Sequence, residues 1–135
     1  MNILLLGGCG YIGTVFTHGL LEQGHQVTVV DIQWFGNYLA EHKNLKVIKE
    51  DIRNVDNISM EGMDAVMHLA NIANDHCGEL NSKLAWEVNV LATMRLVEKA
   101  IEHKVKQFIF ASSGSVYGVK DEPLVTEELS LVPIS

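Results

Sequence analysis

Three glycines, Gly7, Gly10 and Gly13, stand three residues apart in the stretch LLLGGCGYIG. Placed between an apolar run and a helical pattern, each has a task in holding a phosphate. The first permits a tight turn, the second lets a pyrophosphate approach the backbone, and the third lets the helix pack close to the strand. A helix starting here presents free N–H groups and the positive end of its dipole to an anion. Eighteen residues past Gly13, Asp31 closes the next apolar run. A carboxylate there accepts hydrogen bonds from ribose hydroxyls and repels a 2′-phosphate. Glycines and acid together imply an adenine dinucleotide, NAD rather than NADP.

The remaining reactive residues are less organised. The histidines are scattered, and His68 reads as a strand-end residue packed beneath the cofactor loop. Asp75, His76 and Cys77 are consecutive, whereas a structural metal takes spaced ligands, so no metal is expected. Cys9 and Cys77 share no CxxC spacing and read as free thiols. Trp34 and Phe35 suit either the adenine edge or surface packing; Trp86 suits core or interface.

These residues need elements to hold them. NILLL (2–6) is a short apolar run of the kind buried on both faces of a sheet. Helical spacing follows, with Val15, Phe16, Gly19 and Leu20 on one side and Gly24 placed to end it. QVTVVD (26–31), LKVIKED (45–51), DAVMHLA (64–70) and KQFIFASS (106–113) read as four further strands. The longest helix is expected over residues 81–103. Its apolar stripe is Ala85, Val88, Ala92, Leu96 and Ala100, widened by Val97 and Ile101. Alternating strand and helix predicts an α/β fold, a Rossmann-like doubly wound parallel sheet of about five strands in the order 3-2-1-4-5. No sixth strand is found, so the domain 1–135 is expected to be C-terminally incomplete.

Composition sets outer limits. The 135 residues are 47% hydrophobic and 20% charged, with a formal net charge of −7. That balance repels phosphate backbones and disfavours nucleic acid as a partner. No apolar run is long enough to span a membrane, and the start reads as a strand instead of a signal peptide. A cytoplasmic protein is expected.

The spacing G-x-x-G-x-x-G resembles the short-chain dehydrogenase/reductase superfamily, and later segments resemble its extended branch, the NAD-dependent sugar-nucleotide epimerases and dehydratases. EDIR (50–53) is similar to that family's D-I/L-R segment, which implies that Asp51 and the Ile52 backbone hold adenine. HLAN (68–71) resembles H-x-A-A/G, with Asn71 as a departure. The resemblance implies that Leu69, Ala70 and Asn71 pass under the cofactor, and that Tyr11 and Ile12 join the glycines around it. VNVLAT (88–93) is similar to the helix segment whose asparagine, here Asn89, reaches the cofactor side. ASSGSVYG (111–118) resembles S-S-x-x-V-Y-G. It implies Ser112 at the cofactor and Ser113 as the active-site hydroxyl that binds the substrate's reacting oxygen.

By the same resemblance the substrate is a nucleotide-sugar, oxidised and then reduced again by one bound NAD. The base is the tyrosine of P-x-S-x-Y-x-x-x-K. Pro133-Ile134-Ser135 matches P-x-S, so the tyrosine and lysine are expected beyond Ser135 and the 135-residue chain alone is expected to be inactive. The substrate domain is expected to be absent. The complete enzyme is expected to be a homodimer paired through the long helix. Two other readings fit the residues: a noncatalytic NAD-binding or redox-sensing module, and another reductase of the superfamily. Asp31 argues against the second, since such reductases often use NADPH.

Overall fold

The computed structural model describes residues 1–73 and 75–134, with side chains for all of these but Asp75, His76 and Cys77. Among the described residues five parallel strands form one sheet in the order β3-β2-β1-β4-β5, as the sequence implies. They are β1 (Asn2–Leu6), β2 (Gln26–Asp31), β3 (Leu45–Lys49), β4 (Ala65–His68) and β5 (Gln107–Phe110). The last three stop two to three residues short of their apolar runs, because the residues beyond turn into the loops of the strands' carboxyl edge. β1 is central, its Leu5 in register with Val29 of β2 and Met67 of β4.

Alternation along β1 divides the core. Leu4 and Leu6 face one way, with Val30, Ile52, Val66 and Leu96; Leu5 faces the other, with Val27, Val29 and Cys9. The first face is covered by a long helix. It runs from α3 (Ser82–Trp86) through a π turn (Glu87–Ala92) into α4 (Thr93–Glu102). Asn81 caps it, its Oδ1 accepting the Leu84 N–H at 3.0 Å. Val88, Ala92, Leu96 and Ala100 are buried along it as expected. Ile101 is not: it is 71% exposed and belongs to the outer side. A short α2 (Asp75–Leu80) precedes this helix.

The second face is covered by α1 (Tyr11–Glu22), closed by Gly24 and His25, whose N–H groups donate to the carbonyls of Leu21 and Leu20. Here one expectation fails. Val15 and Phe16 are exposed, and α1 meets the sheet through Gly13 and Thr17, with Leu20 and Leu21 packed against the core. The reason is the tightness of the contact at its first turn. A Cβ on Gly13 would lie 2.1 Å from the Gly7 carbonyl oxygen, so the helix face that touches the sheet must carry small residues. Large apolar residues are displaced to the sides. No helix among the described residues is long and apolar enough to cross a membrane.

Candidate functional site

The β1–α1 turn is built around two enforced glycines. Gly7 has φ +85, and a Cβ there would lie 2.7 Å from the Ala70 nitrogen. Gly13 is fixed by the contact just described. Gly10 differs: a Cβ on it would meet only the Gly7 oxygen, at 3.4 Å. No protein contact requires glycine there, and the room it leaves opens on a cleft of about 150 Å³. The first-turn N–H groups of α1 have no intrahelical acceptor, and no side chain caps them. No acidic residue stands in that turn.

Asp31, at the end of β2, links the glycine loop to the next connection. Its Oδ2 accepts the Cys9 N–H at 3.0 Å and its Oδ1 the Gln33 N–H at 2.6 Å. Each oxygen keeps a lone pair for a further donor. Burial, with the Asp31 charge behind it, pushes the Cys9 thiol up to about 11, so Cys9 is a neutral wall residue and no nucleophile.

Asp51 follows β3. The Arg53 Nε and Nη2 donate to its Oδ2 at 2.9 and 2.6 Å, and the Arg53 N–H donates to Oδ1 at 2.9 Å. Burial would raise this carboxyl, but the hydrogen bonds and charge of Arg53 outweigh it and hold Asp51 below the usual carboxylate range. The remaining Arg53 nitrogen, Nη1, reaches Glu87 at 3.3 Å. Arg53 is the one basic residue among the described residues lining the cleft, and each of its three guanidinium nitrogens already donates to a carboxylate.

The floor comes from the segment after β4. Leu69 N–H donates to Leu6 O at 2.9 Å. Two residues of the long helix hold the rest. Asn89 clamps Ile72 in both directions, accepting its N–H at 2.8 Å and donating to its carbonyl at 3.0 Å. Thr93 donates to the Asn89 carbonyl and bonds the His68 Nε2 at 2.9 Å. Asn89 lies in the π turn and Thr93 begins α4 directly after it. His68 is fully buried, and burial pushes it down to about 4, so it is neutral. With the hydroxyl proton directed at Asn89, Nε2 carries the ring hydrogen and Nδ1 is a bare acceptor without a partner among the described residues.

The structure thus brings Gly7, Gly10, Asp31, Asp51, Ile52, Leu69, Ala70 and Asn71 to one cleft. Tyr11 and Ile12 stand at its edge in the first turn of α1, exposed; Gly13 packs inward. Asn89 is not in the lining, and its side chain is occupied by Ile72. Ser112 and Ser113 lie beyond β5, exposed and outside the cleft lining, and the Ser113 Oγ accepts the Ser115 N–H at 3.2 Å. The Asp75-His76-Cys77 triplet lies outside the described side chains. The sequence reading does not single out Arg53, Ile72 and Val88 as cleft residues. Arg53 had a signal, its place inside EDIR; Val88 had only the signal of a core residue.

The sequence pattern of the NAD dependent epimerase/dehydratase family matches residues 3–135. The chain belongs to this family. Among its relatives is a UDP-glucose 4-epimerase from Corynebacterium glutamicum, 33% identical over 137 residues, covering 98% of this chain and 41% of the relative. The solved UDP-glucose 4-epimerase of Thermotoga maritima, with UDP-glucose, superposes with a TM-score of 0.86 at 31% identity, over 99% of this chain and 45% of that one. The Thermus thermophilus UDP-glucose 4-epimerase in complex with NAD gives 0.85 at 27% identity, over 98% and 45%. The chain spans about two fifths of the length of the curated relatives it matches. As a member of an NAD-dependent family, it carries its cleft at the carboxyl edge of the sheet, where β1 and β4 diverge in connection.

Proposed function

We propose that residues 1–135 are the NAD-holding part of a nucleotide-sugar epimerase, with UDP-sugars as the favoured substrate class. One observation carries this: the glycine loop, Asp31, Asp51 and the Leu69–Asn71 floor line a single cleft at the sheet's switch point. The donor set fits the dinucleotide part by part. The open space at Gly10 and the free N–H groups of α1, including those of Tyr11 and Ile12, receive the pyrophosphate. Asp31 accepts from the adenosine ribose, and Asp51 with the Ile52 backbone receives the adenine edge. A 2′-phosphate would meet Asp31 and no unengaged cation, so NAD is preferred over NADP.

Bound NAD supplies a hydride acceptor that returns the hydride to the same sugar. The residues of this chain hold and orient it. Asn89 keeps the Ile72 backbone fixed beside it. Ser113, whose Oγ accepts a backbone N–H, retains an O–H to donate to the sugar's reacting oxygen. No tyrosine in the chain is followed four residues later by lysine. Residues 1–135 therefore bind NAD without turning over UDP-glucose. In the complete enzyme a homodimer pairs across the long helix, whose outer side exposes Trp86, Leu91, Met94 and Ile101.

Calorimetric titration with NAD⁺, beside a coupled assay for UDP-galactose formation from UDP-glucose, tests the reading. Saturable binding without turnover is expected. No NAD⁺ binding by a cooperatively melting chain would remove the cofactor assignment, and turnover would remove the claim about the base.

A further inference from the structure

The connection after β2 holds two aromatic rings in a position that the cleft does not need for its own packing. The Gly36 N–H donates to the Gln33 carbonyl at 3.1 Å, which makes Gln33–Gly36 a hydrogen-bonded turn with Trp34 and Phe35 at its two central positions. That turn is anchored at its start, where Asp31 Oδ1 accepts the Gln33 N–H. It is anchored at its end by Asn37, whose Oδ1 accepts the Leu39 N–H and the Cys9 thiol hydrogen. A pinned turn therefore presents both rings at its tip. Both line the cleft, yet Trp34 is 58% exposed and Phe35 82% exposed. Aromatic rings of this size ordinarily bury most of their surface.

Other residues of the lining are already occupied by the protein's own contacts. Ile52 is buried, Val88 is buried at the helix, and Arg53 is bound to Asp51 and Glu87. These residues and the turn line one cleft of about 150 Å³. The proposed ribose acceptor, Asp31, stands two residues before the turn, and a base joined to that ribose extends toward it. We infer that Trp34 is an adenine-stacking residue, its indole covering one face of the base while Ile52 and Asp51 take the other face and the edge, with Phe35 as the outer rim. Trp34 is assigned this place as the larger and the less exposed of the two rings. The inference rests on the NAD reading above and adds to it a residue the glycine loop and its acid do not specify.

The chain has two tryptophans, so Trp86→Phe leaves Trp34 as the one reporter. In that background NAD⁺ and AMP are expected to quench the indole emission saturably, and nicotinamide mononucleotide is not. Measured by calorimetry, Trp34→Ala is expected to weaken NAD⁺ about tenfold, with Trp34→Phe restoring most of the loss. Calorimetric NAD⁺ binding with unchanged emission, or with full affinity retained in Trp34→Ala, would overturn the stacking role while leaving the cofactor assignment standing. Absence of NAD⁺ binding altogether would overturn both.

Discussion

The two ends of the site are built in different ways. At the β1–α1 turn the protein packs closely on itself around one opening at Gly10: Gly7 against Ala70, Gly13 against Gly7 and Gly8, Asp31 against Cys9 and Gln33. Beyond β5 the chain makes one 3-10 turn (Gly114–Tyr117), and Ser113 stands exposed with its hydroxyl on a neighbouring backbone N–H. β5 itself is an edge strand with Ile109 and Phe110 half exposed. The cofactor cleft thus draws on the carboxyl ends of β1, β2, β3 and β4 together. A reacting hydroxyl at the end of an edge strand depends on whatever else approaches it.

The sharpest way to break this contrast is Gly13→Ala. Its Cβ would sit 2.1 Å from the Gly7 oxygen and 2.7 Å from the Gly8 Cα, both backbone, and neither can yield without moving β1 or α1. A loss of more than about 3 kcal/mol is expected in urea unfolding. Gly10→Ala is the matched control, with stability within about 1 kcal/mol of the parent and NAD⁺ affinity reduced at least tenfold. Stabilities equal to the parent's in both variants would mean that both glycines serve the ligand alone.

Acid comes next. His68 is held neutral at about 4, against 6.5 for a free histidine, so between these values the unfolded chain binds the extra proton. Stability then rises with pH and is lost as pH falls from about 6.5 to 4, by roughly 3 kcal/mol. Asp51, held low by Arg53, adds its loss only further down, below its ordinary value near 3.8. Urea melts across this range should show the slope in the parent and a flattened one in His68→Leu. A parallel slope in the variant would place the acid sensitivity elsewhere.

The sequence made the frame readable because its signals there are local. Five apolar runs of strand length and a glycine triplet between strand and helix suffice for the sheet order and the cofactor edge. Where contact decided the outcome, the periodicity misled. Val15 and Phe16 have helical spacing, but the helix had to approach through Gly13 and Thr17. Ile101 continues a stripe spaced at three and four residues, yet the buried line Ala92, Leu96 and Ala100 leaves it about one residue's rotation to the outside. The family resemblance pointed Asn89 to the cofactor side, whereas its side chain holds the Ile72 backbone, a partner that no spacing in the sequence names.

Smaller effects sharpen the comparison. Asn89→Ala leaves the Ile72 N–H and carbonyl unpaired and should cost about 2 kcal/mol in unfolding, with weaker NAD⁺ binding as the floor loosens. An unchanged affinity would separate the floor from the cofactor. Ser113→Ala removes a side-chain acceptor on an exposed turn and should change stability by under about 1 kcal/mol and NAD⁺ affinity not at all. A large loss in either would show that the edge-strand end is more engaged than its exposure indicates.

The most direct measurement is an amide NMR titration of the isotopically labelled 135-residue chain with NAD⁺, with NADP⁺ in parallel. Saturable shifts are expected to concentrate at Gly7–Gly13, Asp31–Gly36, Asp51–Arg53 and Leu69–Ile72, with stronger affinity for NAD⁺ and the smallest changes at Ser112–Tyr117. Shifts gathered at Ser112–Tyr117 with the glycine loop unmoved, or equal response to both nucleotides, would contradict that expectation.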